Sequence, residues 1–186
     1  MNRKPFLLGQ NIYLKALTVD EITDSYLSWL NDENVCRFNS HHVFPYTRAG
    51  AEAYVSGLEN SRDSLVLAVY VRDKDIHIGN ISLGSIDFLH RNAEFAILMG
   101  EQDYWGRGLA KEAALLIVRH GFETLNLHRV YCGTSAENVA MQKLAAYMGM
   151  LEEGRRRQAM FKCGRYVDVI EYGVLREEFL KCHPAK

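Results

Sequence analysis

The chain has 186 residues, of which 48% are apolar and 24% charged, the balance of one ordinary folded domain and not of a disordered tail. Lys and Arg total 22 against 23 Asp and Glu, a formal net charge of −1. That near-neutrality argues against a dedicated nucleic-acid or membrane-surface binder, yet allows a small anionic ligand held by backbone amides.

The apolar run at the start, Phe6 to Leu8, breaks at Gly9-Gln10-Asn11, too short for a signal peptide or a membrane anchor. Asn11 to Leu17 alternates as a first strand. Asp20 is placed to cap a helix over Glu21–Leu30, with Ile22, Tyr26, Trp29 and Leu30 at helical spacing. Thr47 is placed to cap a second helix over Ala49–Leu58, with Ala51, Tyr54, Val55 and Leu58 as its stripe. Ser64–Val71, Ile76–Asp87 and Asn92–Met99 read as three extended stretches joined by short turns, an antiparallel meander. Leu109–Thr124 is strongly helical, with Leu109, Ala113, Leu116, Ile117 and Phe122 as its inner face. Arg129–Thr134 reads as a strand and Asn138–Met148 as a helix, and Met160–Lys162 with Tyr166–Val174 form a last hairpin about Cys163-Gly164. No repeat or linker divides the order β-α-α-β-β-β-α-β-α-β-β, so a single α+β domain over residues 1–186 is expected, a mixed sheet of about seven strands with helices on both faces.

Cys36, Cys132, Cys163 and Cys182 form no Cys-x-x-Cys pair and no cluster with histidine at zinc spacing. Reduced thiols, a cytoplasmic location and no metal are therefore expected. His41-His42 has no third ligand near it in sequence and reads as a solvated loop.

The most informative segment is Tyr104-Trp105-Gly106-Arg107-Gly108-Leu109-Ala110-Lys111. A strand ends, two glycines let the backbone approach a ligand closely, and a long helix starts at once. The start of a helix offers unpaired N–H groups and the positive end of its dipole, which suits a pyrophosphate. A dinucleotide fingerprint fails because Lys111 stands where its third glycine belongs, and a P-loop fails for want of Gly-Lys-Ser/Thr. A plain tight turn before a helix stays open on these residues alone.

Here the sequence resembles the GNAT superfamily of acetyl-CoA-dependent N-acetyltransferases, whose cofactor loop reads Gln/Arg-x-x-Gly-x-Gly/Ala. Gly108 and Ala110 match its last two positions, while Trp105 stands where Gln or Arg is common. The chain is similar to the branch of RimJ/RimL ribosomal-protein acetyltransferases and spermidine acetyltransferases. That resemblance also rests on Trp29-Leu30-Asn31-Asp32, His90-Arg91-Asn92-Ala93-Glu94-Phe95, Leu127-His128-Arg129-Val130, Ala136-Glu137-Asn138, Tyr147-Met148-Gly149-Met150 and Gly164-Arg165-Tyr166-Val167-Asp168.

The resemblance implies that acetyl-CoA is the acyl donor, its pyrophosphate on the amides of Gly106, Arg107, Gly108, Leu109 and Ala110, with Arg107 and Lys111 adding charge. Ile97, Leu98 and Met99 would pair with the pantetheine arm in a gap where the fourth strand splays from the fifth. Asn138 would contact the pantetheine, and Lys143 stands where a basic residue often meets a CoA phosphate. The acceptor would be a primary amine, on a small molecule or a protein N-terminus. Its proton needs a base, and Glu94, 14 residues before Gly108, occupies the place of a strand glutamate that serves so elsewhere in the superfamily. Partial burial among Phe95, Ile97 and Tyr70 would raise its pKa; a structural pair with Arg91 or His90 is the competing expectation.

The chain departs from the family at the leaving-group acid. Ala145 stands where many members have Tyr, and Met141 where the RimL-like members have Ser. Tyr147 lies about 200° around a helix from Ala145 and is no simple replacement. A non-catalytic acyl-CoA-binding or sensing module is therefore the alternative. Cys132 is read as a structural thiol and not as an acyl carrier. The aromatic segment Asn31–Tyr46 is expected to wall the acceptor, and Asp32, Glu33 and Asp87 are candidates to attract a cationic amine. Arg155-Arg156-Arg157 would either steer an acidic ligand or guard a strand edge, and exposed strands at both ends are compatible with a homodimer.

Overall fold

The computed structural model describes residues 4–184; Met1–Arg3 of the basic start and the last two residues of the expected domain lie outside them. Among the described residues, eight strands form one sheet: β1 (Leu7–Leu8), β2 (Ile12–Ala16), β3 (Leu65–Val71), β4 (Ile76–Asp87), β5 (Asn92–Met99), β6 (Arg129–Ser135), β7 (Leu151–Lys162) and β8 (Arg165–Leu175). Their order across the sheet is β1-β2-β3-β4-β5-β6-β8-β7. Every neighbouring pair is antiparallel except β5 and β6, which run parallel. Five α-helices of the described residues cover it: α1 (Asp24–Leu30), α2 (Arg48–Leu58), α3 (Leu109–Glu123), α4 (Val139–Tyr147) and α5 (Arg176–Cys182). This is the expected mixed α+β architecture, with one more strand.

The differences from the sequence reading have local causes. The first helix starts later, because Val19–Glu21 forms a 3₁₀ turn and Thr23, not Asp20, caps α1 by accepting from the Tyr26 amide at 3.2 Å. Thr47 does cap α2, from the Gly50 amide at 3.2 Å, but Tyr54 turns outward at 57% exposure while Ala51 and Val55 are buried. β7 runs for 12 residues and takes in the arginine run. As an edge strand exposed along most of its length, it has no inside-outside alternation to reveal it. Arg155 and Arg156 pair with Asp168 and Glu171 on β8, so the run is bound up in the edge ladder. The two-residue β1 and the seven-residue α5 were missed because each is too short to show a period.

One core lies between the sheet and α3, α4 and α5, where Phe95, Phe122, Phe179, Ile117 and Leu127 are fully buried. Each contributes roughly 2–3 kcal/mol by burial. A second, smaller core joins Tyr26, Trp29 and Leu30 of α1 and Ala51 and Val55 of α2 to the other face of the sheet. Helices therefore cover both faces, and β5 is the strand they share: Ala93, Phe95, Ile97 and Met99 pack toward α3, and Leu98 toward α1 and α2.

Candidate active site

The parallel ladder of β5 with β6 consists of Asn92↔Arg129, Ala93↔Val130 and Glu94↔Tyr131. Beyond Glu94 the two strands have no further register, although β5 runs on to Met99 and β6 to Ser135. Alternate N–H and C=O groups of Phe95–Met99 therefore face a wedge instead of a neighbouring strand. On its other edge β5 stays paired with β4 through Met99↔Gly79, so the strand is held straight while the wedge opens. The splay expected between these two strands is present.

At the head of β5, Glu101–Trp105 makes a 3₁₀ turn, and the chain then passes through Gly106 at φ +73° and Gly108 at φ +79°. Both lie in the left-handed region that side chains disfavour. A Cβ at either position would meet no protein atom within 4 Å, so backbone conformation, not crowding within the protein, requires glycine there. Among the described residues, the amides of Gly106, Arg107, Gly108, Leu109 and Ala110 donate to no protein acceptor; the first bonded amide is Lys111, to the Gly108 carbonyl at 3.1 Å. Five unspent donors at the positive end of the 15-residue α3 form an anion cradle beside the wedge. The residues present thus fit a diphosphate at the turn and an extended arm along β5.

The cations expected beside the cradle diverge. Arg107 lies over the Tyr104 ring at 5.0 Å and lines a cleft of about 570 Å³ with Arg72 and Lys74. Lys111 leans the other way, over the Tyr147 ring of α4 at 4.6 Å. Asn138 caps α4, its side-chain oxygen accepting from the Met141 amide at 3.1 Å, which leaves its NH₂ as a donor. Lys143 is exposed on α4. A further tie was not foreseen: the Trp105 indole donates to the Met99 carbonyl at 2.8 Å.

Glu94 departs from expectation in its surroundings. It is exposed, and Phe95 faces the opposite core, so the partly buried setting foreseen for it is absent. No pair with Arg91 or His90 forms either: Arg91 holds Asn126, and the His90 amide donates to Asp87. Its place is nonetheless specific, on the last rung before the wedge, opposite Tyr131 and beside a bulge in β4 between Gly84 and Asp87. The Tyr131 phenol is raised by burial and by the charge of Glu94. Bulges of this kind re-aim strands next to sites.

Ala145 is fully buried and Met141 packs against the core, so neither position offers a hydroxyl. Cys132 is 1% exposed, with its thiol against Met150 at 3.6 Å, and burial pushes it up to about 12. A thiol so protonated is a poor nucleophile at neutral pH, in keeping with a structural role. None of the four cysteines is paired. Asp32 accepts from the amides of Asn34 and Val35 in a turn, and Asp87 does so from His90, so these two acids serve loops.

On the face opposite α3, a pocket of about 350 Å³ lies between α1, α2 and strands β4 and β5. Ala96, Ile97 and Leu98 of the splayed strand form one side, and His41 and Tyr46 from the foreseen aromatic segment form another. Phe44, at 79% exposure, and His42 stand clear of it. Tyr26, Tyr54, Asn80 and Ser82 also line it, and sequence reasoning missed them in this role. They come from three elements that only the packed sheet brings together.

The comparisons agree with this geometry. The acetyltransferase (GNAT) domain profile matches residues 11–151. An uncharacterised N-acetyltransferase of Bacillus subtilis is 31% identical over 130 residues, 68% of this chain and 71% of that protein. A spermidine N(1)-acetyltransferase of Vibrio cholerae is 33% identical over 84 residues, 45% of this chain and 48% of that one. The crystal structure of spermidine N-acetyltransferase from Vibrio cholerae with CoA and spermine superposes with a TM-score of 0.81 at 25% identity, over 92% of this chain and 99% of that one. The open wedge, the glycine turn and the matched sequence together make this chain a member of the GNAT acetyltransferase family.

Proposed function

We propose that this protein transfers the acetyl group of acetyl-CoA to a primary amine by direct attack, without a covalent enzyme intermediate. The observation that carries the reading is the wedge itself: the β5–β6 ladder stops at Glu94↔Tyr131 next to five amides with no acceptor among the described residues. In this reading the amides of Gly106–Ala110 bind the pyrophosphate, Lys111 and Arg107 neutralise its two flanks, and Lys143 meets a further phosphate. The free edge of Ile97, Leu98 and Met99 takes the pantetheine as an added strand, which fixes the thioester carbon relative to β5. Asn138 donates its NH₂ to the same arm.

The amine approaches from the pocket between α1 and α2. Glu94, on the same face of β5 as Ala96 and Leu98, takes its proton directly or through water. A backbone N–H of the splayed edge stabilises the oxyanion. The thiolate then leaves unassisted; a thiol pKa of about 8.5 makes that tolerable, and Ala145 and Met141 supply no acid. Unpaired cysteines support a reducing, cytoplasmic setting.

Those two positions favour one second reading, a module that binds acyl-CoA without turnover. An amine panel assayed by release of free CoA thiol separates them. Steady, amine-dependent release supports the transferase; tight acetyl-CoA binding with no release for any amine establishes the sensor. Failure to bind acetyl-CoA sinks both.

A further inference from the structure

The pocket that borders the splayed strand is built without charge. Its polar lining consists of the phenols of Tyr26, Tyr46 and Tyr54, the imidazole of His41, the amides of Asn39 and Asn80 and the hydroxyl of Ser82, and among the described residues no Asp, Glu, Lys or Arg contributes to it. Three carboxylates of the adjacent α1–α2 layer are engaged elsewhere, while Glu33 and Glu52 are exposed and do not line the pocket. Glu21 is bonded to Lys15 at 2.5 Å and to Thr18, Asp24 to Arg48 at 2.8 Å, and Asp32 to two amides of its own turn. Glu101 accepts from the Trp29 indole at 3.1 Å.

The imidazoles add no charge. His41 is held by Tyr46, and burial followed by the charge of Lys162 lowers its pKa. Behind Asn80, His77 donates from Nε2 to the Gly79 carbonyl at 2.9 Å and to the Asn80 side-chain oxygen at 3.0 Å, and burial keeps it below its ordinary value. Among the described residues its Nδ1 is buried without a partner, as befits a neutral ring. The charge beside the pocket has the sign that repels ammonium: Lys162 Nζ donates to the His41 carbonyl at 3.2 Å. On the open side, Glu94 stands two residues along β5 from Ala96, roughly 6.6 Å, where the reacting amine arrives.

We infer that the acceptor is a primary monoamine whose remaining body is uncharged and hydrogen-bonding, and not a polyamine. This rests on the acetyl-transfer reading of the same site and narrows it. One carboxylate at the reacting end serves one ammonium. A second ammonium drawn into the neutral pocket would lose its hydration with no carboxylate to replace it, whereas a phenol, amide or methyl body would meet rings and neutral hydrogen-bonding groups. The relatives named for spermidine thus differ from this chain in what their acceptor carries beyond the reacting nitrogen.

The test uses two amines of nearly equal size, 1-aminohexane and 1,5-diaminopentane, together with tyramine and spermidine. For each, kcat/KM is measured by thiol release and Kd by calorimetry on the full chain loaded with CoA. The monoamine of the matched pair is expected to show a kcat/KM about 30-fold or more higher and a Kd about 30-fold or more lower than the diamine, and tyramine likewise against spermidine. Ser82→Asp, which adds a carboxylate to the pocket lining, is expected to narrow the ratio at least about tenfold. Equal or better use of the diamine and spermidine by the wild-type chain overturns the inference, as does binding of none of the four amines at millimolar concentration. Neither result touches the acetyl-transfer reading, which fails separately if acetyl-CoA itself does not bind.

Discussion

The indole N–H of Trp105 donates to the carbonyl of Met99 at 2.8 Å, and through that bond the glycine turn is tied to the head of the splayed strand. Trp105 stands where related chains commonly carry Gln or Arg, and it spends its one donor on the protein itself. Removing the bond while keeping an aromatic ring, as in Trp105→Phe, should loosen the turn relative to β5. One neutral hydrogen bond is worth about 1 kcal/mol, so KM for acetyl-CoA is expected to rise about fivefold, with kcat nearly unchanged. Steady-state kinetics at saturating amine check this; an unchanged KM would show that the tie does not set the cradle.

Gly108 separates backbone strain from ligand exclusion. A side chain at φ +79° costs about 1–2 kcal/mol of stability, and nothing in the protein lies within 4 Å of the added Cβ. Gly108→Asp should therefore fold, with a Tm lower by several degrees. Its carboxylate would stand among the five free amides, and acetyl-CoA affinity is expected to fall more than about 100-fold. Calorimetric titration together with thermal unfolding distinguishes the two effects. A variant that binds normally would remove the turn from the cofactor site.

For Glu94, the exposed position beside the wedge predicts a clean separation of binding from chemistry. Glu94→Gln is isosteric and removes the base; kcat is expected to fall about 100-fold, with Kd for acetyl-CoA and the unfolding midpoint unchanged. Glu94→Asp should recover part of the rate. If Glu94→Gln turns over at the wild-type rate, the proton leaves by another route, through ordered water or the Tyr131 phenol across the ladder.

The ion pair of half-buried Lys15 with buried Glu21 predicts a pH dependence of stability. Glu21 is 3% exposed; burial alone would raise its carboxyl, but Lys15 and Thr18 hold it net below its ordinary value. Lys15 is likewise raised against its own burial by Glu21. A carboxyl depressed by folding stabilises the native state above its unfolded pKa, and that contribution vanishes as pH falls through the lower folded value. Glu21→Gln is therefore expected to lose about 2 kcal/mol at pH 7. The deficit should shrink as pH drops below about 4, measured by urea unfolding across pH.

Much of the architecture was legible because its signals are local. The antiparallel meander, the long α3 and the helix after Asn138 carry their own period, and their bounds in the structure agree with the sequence reading to within a residue or so. The glycine turn was equally plain, since Gly106 and Gly108 must supply a backbone conformation that few other residues tolerate. Edge strands hide for the converse reason: β7 buries neither face and so writes no alternation.

What the chain alone determined, then, is the order of its elements, the glycine-bearing start of α3 and membership in an acetyltransferase family. The environment of Glu94 was a tertiary matter, because whether a strand residue is desolvated depends on which neighbours cross that face, and here none covers it. The neutrality of the pocket proposed for the amine was decided the same way. Tyr26, Tyr54 and the Asn80–Ser82 stretch of β4 are far apart in sequence, and Glu21, Asp24 and Asp32 are bonded instead to Lys15, Arg48 and backbone amides. Charge at a site is a sum over everything the fold brings within a few ångströms, and no stretch of sequence contains that sum.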